Sequence, residues 1–392
     1  MLRDIYNELE KYLDKNLEEC ISVARMFRDN ICNMSQDTLV HSASNFQNIM
    51  LDIGGHLESE YGLFDTEGIK VLEQCCELLF KCTTDTNDLR ENAMQLIGLL
   101  EKLKAVILEG ITITSYHTSA VLIAKNEDRY IREWLEFHRL VGISHFYIYD
   151  NDSEASFKKI LEPYIAQGIV TYIAYPGALM QMNAYNDALR RFKCDTKYMA
   201  FIDADEFLVP VDKESVPEAV DYIIDRYNNR EFKVDWNPGG IAVNWRWYGG
   251  AGHQKMADGL LIENYIYRAE DEYDQNAHIK TICNPRVATG FEGQPHACSY
   301  QKGYFNISEK GSYVPGSFFY DSACDHLRIN HYHMKSEQEF IEKWHRGWPD
   351  IVRNFDSDAK LKSDYASLDE ICSVKKDEIM LKYVDKLKAI LA

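Results

Sequence analysis

Two aspartates, Asp203 and Asp205, are the residues of this chain whose type and spacing most directly suggest chemistry. They follow an apolar run, residues 198–202, that is typical of a buried strand. Two carboxylates at such a turn can converge on one hard cation, because Mn²⁺ and Mg²⁺ prefer oxygen ligands and keep positions open for phosphate oxygens. A pair this short is equally compatible with a solvated strand end. Its meaning therefore depends on the elements that position it.

Short apolar runs alternate with helical patterns in the stretch that leads to these aspartates. This alternation indicates a parallel sheet covered by helices on both faces. Ligands of such sheets bind at the carboxyl ends of the strands. The predicted strands cover residues 119–124, 145–149, 169–173 and 198–202, and the predicted helices cover 128–141, 153–167 and 182–192.

Polar residues follow three of these predicted strands, at 125–127, 150–152 and 203–205. We expect them to form one acidic rim, because the carboxyl ends of parallel strands meet at one edge of the sheet. Asp150 and Asn151 could accept hydrogen bonds from a base or a ribose. A polar turn that is capped by its own side chains is the alternative interpretation.

Two histidines far along the chain, His331 and His333, flank a tyrosine. A neutral imidazole could complete a metal site that begins with Asp203 and Asp205. A structural hydrogen-bonding role is the alternative.

The pattern loosens after about residue 235, which predicts a mixed sheet with long loops over the site. Ser336 opens a capping box and a helix that reaches about Trp344. The tail, residues 368–392, is predicted to be helical. Further short strands are predicted at residues 240–247, 260–267 and 278–283.

The first 110 residues or so carry apolar side chains at helical spacing throughout, which predicts a four-helix bundle. We interpret it as a packing or homo-oligomerisation module, with the holding of an acceptor or a partner protein as the alternative. The predicted organisation is a helical bundle at residues 1–112, an α/β domain at 113–350 and a helical tail at 351–392 that packs on the body.

Composition excludes several function classes. The formal charge of −19 argues against nucleic-acid binding, which needs clustered Lys and Arg. No apolar stretch approaches a membrane span or a secretory signal, although peripheral membrane contact stays compatible with the sequence. Ten cysteines without a C-x-x-C predict reduced thiols, a cytoplasmic location and no zinc site.

The motifs of P-loop kinases, dinucleotide dehydrogenases, zincins and α/β-hydrolases are absent from the sequence.

An ordered series of motifs resembles glycosyltransferase family 92, also known as DUF23, which has a GT-A fold and is related to family 2. The resemblance covers roughly residues 118–346. It is carried by 124–127, 133–138, Gly142, 146–151, Gln181, 184–186, 201–207, 245–249, 278–281 and 331–336.

The resemblance implies transfer of a sugar from a nucleotide-sugar donor, a UDP-sugar, with inversion at the anomeric carbon. The acceptor would be a glycan, a glycolipid or a protein, as in polysaccharide biosynthesis, and the cofactor Mn²⁺ or Mg²⁺. Asp203, Asp205 and His331 would bind the metal, with His333 as the less favoured third ligand.

The resemblance also implies positions for the substrates. Asp203 would meet the donor as well as the metal, and Lys280 would meet the donor phosphates. The nucleotide pocket would be lined by Asn126, Glu127, Asp150 and Asn151, with Gln181 near the donor, and Trp245, Trp247 and His253 would lie towards the sugar or the acceptor.

Inverting transfer needs a general base within hydrogen-bond reach of the acceptor hydroxyl. Asp271, Glu270 and Glu206 are the candidates. Glu206 could instead orient the metal ligands.

Two other hypotheses stay open at this point. One is a catalytically silent GT-A-like binding module that works through its helical domain; the intact aspartate pair argues against it. The other is a nucleotidyltransferase, which would normally carry a Gly-rich, basic phosphate loop near the first strand. Residues 124–126 do not form such a loop.

Overall fold

The computed structural model describes residues 2–29, 36–61, 67–84, 88–110, 116–193, 195–228, 237–321, 324–347, 349–351 and 357–392. The chain divides into two units, residues 1–115 and 116–392. Within the described residues, no helix is both long and apolar enough to cross a lipid bilayer.

The first unit contains four long helices, and the predicted helical bundle is confirmed. Helix α1 packs on α2 and α4, and α3 packs on the same two helices. The apolar stripes read from the sequence face inward, with Leu9, Leu13, Phe46, Leu96 and Leu103 almost fully buried. The helices are α1 (Leu2–Asp29), α2 (Gln36–Tyr61), α3 (Glu67–Thr84) and α4 (Leu89–Gly110).

The second unit is a mixed α/β domain. Its strands are β1 (Tyr116–Ala124), β2 (His145–Asp150), β3 (Val170–Ala174), β4 (Thr196–Phe201), β5 (Glu206–Pro210), β6 (Asn237–Trp247), β7 (Tyr267–Arg268), β8 (Ile279–Cys283), β9 (Ala288–Gly290), β10 (Ser299–Tyr300), β11 (Tyr304–Ile307), β12 (Leu327–His331) and β13 (Lys375–Lys376). Its helices are α5 (Ile131–Leu140), α6 (Ala155–Ala166), α7 (Gln181–Phe192), α8 (Val216–Asn228), α9 (Leu261–Asn264), α10 (Glu337–Arg346), α11 (Asp358–Cys372) and α12 (Val384–Leu391), with 3₁₀ helices at Asp274–Ala277 and Ile379–Tyr383.

The main sheet has the strand order β3-β2-β1-β4-β8-β6-β12-β5, and β11 also pairs with β6. Strands β1 to β4 pair in parallel, whereas β8 lies antiparallel to both β4 and β6. The core strands β2 and β4 are almost entirely buried, which explains their continuous apolar runs. The predicted fold class, a mainly parallel GT-A-type sheet flanked by helices and preceded by a helical bundle, is confirmed.

The capping box at Ser336 is confirmed. The Ser336 hydroxyl accepts a hydrogen bond from the backbone N–H of Glu339, and the Glu339 carboxylate accepts one from the backbone N–H of Ser336. This arrangement fixes the start of α10, which carries a lysine of the candidate site.

The predicted strand at residues 260–267 is wrong. The backbone N–H groups of Leu261 and Ile262 donate to the Glu133 carboxylate at 2.8 and 3.0 Å. Because a side chain binds these groups, they cannot pair with a neighbouring strand, and the segment forms the short helix α9 instead. The predicted helical tail is interrupted by β13, which pairs with β7.

Candidate functional site

A cavity of about 570 Å³ lies at the ends of the central strands. It spans the turn after β1, the aspartate pair after β4, one face of β6 and the end of β12. The side chains that line it include Lys125, Glu127, Asn151, Gln181, Asp203, Asp205, Trp245, Trp247, Gln275, His278, His296, His331, His333, Lys343, Arg346 and Asp350.

Asp203 is bound by the chain's own donors. Lys280 Nζ lies 2.7 Å from its Oδ2, while Gln181 Nε2 and the Tyr185 hydroxyl donate to its Oδ1 at 2.8 and 3.1 Å. Burial, the largest single influence, would raise the pKa of Asp203, but the charge and the hydrogen bond of Lys280, with a smaller effect of His296, together hold that pKa below its usual value. Lys280, which was predicted to meet the donor phosphates, is fully buried and forms this ion pair.

Asp205, His331 and His333 form a different group. One ligand atom from each of these side chains lies within 4.8 Å of the others. Burial would raise the pKa of Asp205, but the charges of Lys343 and His331 hold it well below the usual value. This group contains two of the predicted ligands, Asp205 and His331, together with His333, the less favoured candidate. The Asp203 carboxylate instead contacts Lys280.

Strand register brings the group together. In the antiparallel pair of β12 and β5, His331 lies opposite Glu206, and in the parallel pair of β12 and β6 it lies opposite Trp247. The backbone N–H of Tyr332 donates to the carbonyl of Asp205 at 2.8 Å, which ties the end of β12 to the aspartate turn.

The donor set of this group suits a divalent cation. A carboxylate oxygen suits Mn²⁺, and imidazole nitrogens are ligands of divalent first-row transition metals. The Nδ1 atom of His331 is buried and has no hydrogen-bond partner among the described residues. The ammonium of Lys343 lies 2.5 Å from Asp205 Oδ2 and 2.9 Å from His333 Nδ1, so a positive charge is already accommodated there.

The turns after β1 and β2 are held largely by their own side chains. Asn126, with a left-handed φ of 53°, accepts through Oδ1 from the backbone N–H of Glu154, and Asp150 accepts from the N–H of Ser153 and the hydroxyl of Tyr172. The contact between Asp150 and Ser153 is local and matches the alternative interpretation of a capped turn at residues 150–152, whereas the contacts with Glu154 and Tyr172 link separate turns and strands. Two members of the predicted nucleotide pocket, Glu127 and Asn151, do line the cavity.

The opposite side of the cavity is aromatic. Trp245 and Trp247 stand two residues apart on β6 and so lie on one face of the strand. The Trp245 ring lies 4.2 Å from the ring of His331 and 4.6 Å from that of His278, and the Trp247 ring lies 4.8 Å from that of His333. Both tryptophans, which were predicted to lie towards the sugar or the acceptor, line the cavity.

Comparison with known proteins identifies the family. The sequence pattern of glycosyltransferase family 92 matches residues 121–356, which is more than half of the chain. The chain belongs to glycosyltransferase family 92. A family 92 protein of Ricinus communis is 26% identical over 93 residues, 24% of this chain and 16% of that protein. One of Oryza sativa subsp. japonica is 29% identical over 85 residues, 21% of this chain and 15% of that protein. The chain thus matches about a sixth of the length of these relatives.

Two solved structures are similar to parts of this family 92 chain. S. aureus TarS 1-349 in complex with UDP gives a TM-score of 0.30 at 13% identity, over 43% of this chain and 47% of that one. Glucosyl-3-phosphoglycerate synthase of Mycobacterium tuberculosis, with Mn²⁺, UDP and glucosyl-3-phosphoglycerate, gives 0.22 at 16% identity, over 34% and 45%. Likeness at these TM-scores says nothing about the substrate of this chain.

The three predicted general bases of this family 92 chain do not line the cavity. Asp271 is held by Arg268 at 2.8 Å, Arg246 at 3.4 Å and Lys375, and Glu270 is exposed. Glu206 is fully buried, and burial raises its pKa to about 8 while Lys280 opposes the shift.

His253 is likewise outside the cavity lining, with its ring 5.3 Å from that of Tyr265. Several cavity residues were not predicted as site residues, among them His278, His296 and Lys343. Lys343 lies on α10, the helix that Ser336 caps. Because this helix begins just after the histidine pair, the sequence contained a signal that could have pointed to Lys343. His296 stands alone between Pro295 and Ala297, and nothing in its local sequence points to a site.

Proposed function

We propose that this chain is a metal-dependent, inverting glycosyltransferase that transfers a sugar from a nucleotide-sugar donor, a UDP-sugar, to a hydroxyl of a glycan, glycolipid or protein acceptor. The observation that carries the proposal is the group Asp205, His331 and His333 at the cavity, beside the buried ion pair of Asp203 and Lys280. Membership of family 92 supports the reaction class.

Asp205, His331 and His333 would hold the divalent cation, Mn²⁺ or Mg²⁺. When bound, such a cation supplies Lewis-acid stabilisation of the charge that develops on a diphosphate leaving group. The chain's own cations, Lys343 and Arg346, also line the cavity and can meet the phosphates. Glu127 pairs with Arg346 at 2.7 Å and orients it.

Asp203 would act on the donor rather than on the metal. Its Oδ atoms are fixed by Lys280, Gln181 and Tyr185, so the side chain is rigid at the centre of the cavity. A carboxylate held in this way can accept a hydrogen bond from a ribose or sugar hydroxyl without reorganising. Asn151, on the β2 side, would meet the nucleoside.

The chemical step is a displacement at the anomeric carbon. The acceptor oxygen forms a bond to that carbon, and the bond from the carbon to the diphosphate oxygen breaks, with the electron pair leaving on UDP. The acceptor proton passes to a general base; the three carboxyl groups considered for this role, Asp271, Glu270 and Glu206, lie outside the cavity lining. Inversion follows because the acceptor attacks from the face opposite the leaving group.

We further propose that residues 1–112 are a packing or oligomerisation module of a cytoplasmic enzyme. The four buried helical stripes of that segment support a structural role.

Product formation tests the function. The chain is incubated with a panel of UDP-sugars and a panel of glycan acceptors, with Mn²⁺ and with a chelator, and the products are identified by mass spectrometry. We expect a glycosylated product and free UDP in the incubations with Mn²⁺. In the incubations with the chelator we expect neither. Binding of a UDP-sugar without any turnover would favour a silent binding module. Release of pyrophosphate in a parallel incubation with UTP and a sugar 1-phosphate would favour a nucleotidyltransferase.

A further inference from the structure

His278 lines the cavity on the far side of Trp245 from the candidate metal group of Asp205, His331 and His333. The centre of the Trp245 ring lies 4.6 Å from that of the His278 ring and 4.2 Å from that of the His331 ring. His278 is stacked on the indole at an interplanar angle of 16°, which fixes the plane of the imidazole. In an inverting transfer the acceptor is activated on the face opposite the diphosphate, and His278 lies across the cavity from the group that would meet the diphosphate.

One nitrogen of this imidazole has a fixed proton. His278 Nδ1 lies 3.1 Å from the backbone carbonyl oxygen of Gln275. Because a carbonyl oxygen only accepts hydrogen bonds, Nδ1 carries the proton and Nε2 keeps the lone pair. The carbonyl therefore holds the ring in the tautomer in which Nε2 can take up a proton.

The lone-pair nitrogen is open to the cavity. His278 is half-buried, and within the described residues its Nε2 has no hydrogen-bond partner and is not among the fully buried polar atoms that lack one. The Phe318 ring packs against the imidazole at 4.3 Å and is itself 49% exposed. The imidazole thus lies close to solvent, which can receive a proton from it.

His278 is neutral before the reaction. Burial lowers its pKa, and the hydrogen bond to the Gln275 carbonyl opposes this shift only in part. The positive charges of His331 and Lys280 lower the same pKa further. At neutral pH the ring is therefore in the form that accepts a proton.

His296 is a weaker candidate for the same role. Its ring lies 5.3 Å from that of His278, and its Nδ1 lies 3.1 Å from the carbonyl of Ile279, so it has the same tautomer. Burial, with a smaller effect of Lys280, lowers the pKa of His296 to about 3. A ring that holds a proton so weakly is a poorer general base.

Three of the carboxylates that line the cavity are engaged elsewhere. Glu127 pairs with Arg346 at 2.7 Å, and Asp203 pairs with Lys280 at 2.7 Å. Asp205 belongs to the candidate metal group.

A fourth cavity carboxylate, Asp350, lies on another side of the cavity. It follows Pro349, whose carbonyl accepts a hydrogen bond from the backbone N–H of Gln181 at 3.1 Å. Asp350 is thereby held near the start of α7, whereas His278 directly precedes β8. The experiment below includes Asp350 as the alternative.

We propose that His278 is the general base of the transfer. Its Nε2 accepts the proton of the acceptor hydroxyl while the acceptor oxygen bonds to the anomeric carbon, and the bond from that carbon to the diphosphate breaks with its electron pair leaving on UDP. The imidazolium then gives the proton to solvent. This inference rests on the proposed function and names a catalytic residue for it.

The experiment compares the unaltered chain with His278→Gln, His278→Ala, Asp350→Asn and the control His326→Gln. His326 pairs with Asp212 at 2.9 Å and does not line the cavity. The UDP-sugar that the unaltered chain turns over fastest is incubated with Mn²⁺, with water or a methyl glycoside as the acceptor, and separately with azide. Azide carries no proton, so its attack on the anomeric carbon needs no base. Electron paramagnetic resonance and calorimetry give the affinities for Mn²⁺ and UDP.

Both His278 variants should lower kcat for water and for the glycoside by about 100-fold or more, because a positioned acid–base group contributes about that much. Their affinities for Mn²⁺ and UDP should stay unchanged, and glycosyl azide should form at the rate of the unaltered chain. Free imidazole should restore part of the activity of His278→Ala, which a merely structural role would not allow. His326→Gln and Asp350→Asn should match the unaltered chain.

Four results overturn the inference. One is an unchanged kcat in both His278 variants, and another is an equal loss with azide as the nucleophile. The third is a loss of UDP or Mn²⁺ affinity that accounts for the fall in rate. The fourth is a fall in Asp350→Asn with the His278 variants unaffected, which would assign the base to Asp350. Absence of UDP release by the unaltered chain from every UDP-sugar would instead remove the proposed function, and the inference with it.

Discussion

The ammonium nitrogen of Lys343 lies 2.5 Å from Oδ2 of Asp205, although 138 residues separate the two in sequence. It also lies 2.9 Å from His333 Nδ1. The Lys343 ammonium group thus contacts two of the three side chains that could hold a metal ion. A divalent cation and this ammonium compete for the same carboxylate.

Lys343→Met therefore should bind Mn²⁺ more tightly in the absence of nucleotide. Removal of the competing charge is expected to lower the dissociation constant by about tenfold, equal to about 1.4 kcal/mol. A titration in which electron paramagnetic resonance reports the concentration of free Mn²⁺ measures this dissociation constant. Lys362→Met, which removes an exposed lysine paired with Glu337 at 3.6 Å, is the matched control. An unchanged or weaker Mn²⁺ affinity in Lys343→Met would show that the two do not compete.

The metal-ligand set itself is testable. His333→Ala should weaken Mn²⁺ binding by more than about tenfold, because loss of a residue that merely orients a ligand already costs about that much. Asp203→Asn should leave Mn²⁺ affinity nearly unchanged, since that carboxylate is bound by Lys280. The same titration measures both variants. The reverse ranking would restore Asp203 as a ligand in place of His333.

The ion pair of Lys280 and Asp203 should matter for stability. Lys280→Met breaks a pair whose lysine is fully buried, so the free energy of unfolding in urea should fall by about 3 kcal/mol. Lys310→Met, which breaks an exposed pair with Asp321, should cost less than about 1 kcal/mol. The double variant Lys280→Met/Asp203→Asn should lose less than the sum of the two single variants. Strictly additive losses would mean that the two groups do not interact.

Glu133 should give the folding stability a pH dependence. Burial raises its pKa to about 7 in spite of the backbone donors of Leu261 and Ile262. An unfolded glutamate ionises near about 4.3, so between these values the folded chain holds a proton that the unfolded chain has lost. The contribution of Glu133 to stability is therefore full at low pH and is lost as the pH rises towards about 7.

Urea unfolding at a series of pH values checks this sign. Glu133→Gln cannot ionise, so its free energy of unfolding should fall less between about pH 5 and pH 7 than that of the unaltered chain. Glu162→Gln, at an exposed position on α6, should follow the unaltered chain. A steeper fall in Glu133→Gln would contradict the raised pKa.

The sequence was sufficient for the parts of the fold that local patterns encode. Continuous apolar runs predicted β1 to β4, and helical stripes predicted the four N-terminal helices, because buried strands and amphipathic helices differ in period. The serine cap of α10 is also local. The prediction of a strand after Leu260 was wrong because the backbone N–H of Leu261 donates to the Glu133 carboxylate, which is distant in the sequence.

The candidate site was predictable where it depends on strand ends and not where it depends on long-range pairing. The aspartate pair and His331 follow strands, and their place in the cavity agrees with prediction. We propose His333 rather than Asp203 as the third metal ligand because Lys280 approaches Asp203 from β8. Asp271, a predicted candidate for the base, contacts Arg246, Arg268 and Lys375, and no local sequence pattern carries these long-range contacts.

The most direct test of the central claim is the Mn²⁺-dependent release of UDP from a UDP-sugar by matched aspartate variants. Asp205→Asn should abolish release and retain the fold. Asp221→Asn, which alters an aspartate paired with Lys197 at 2.7 Å on α8 and outside the cavity lining, should match the unaltered chain. Release that survives in Asp205→Asn, or that never occurs with any UDP-sugar in the presence of Mn²⁺, would contradict a metal-assisted donor site at Asp205.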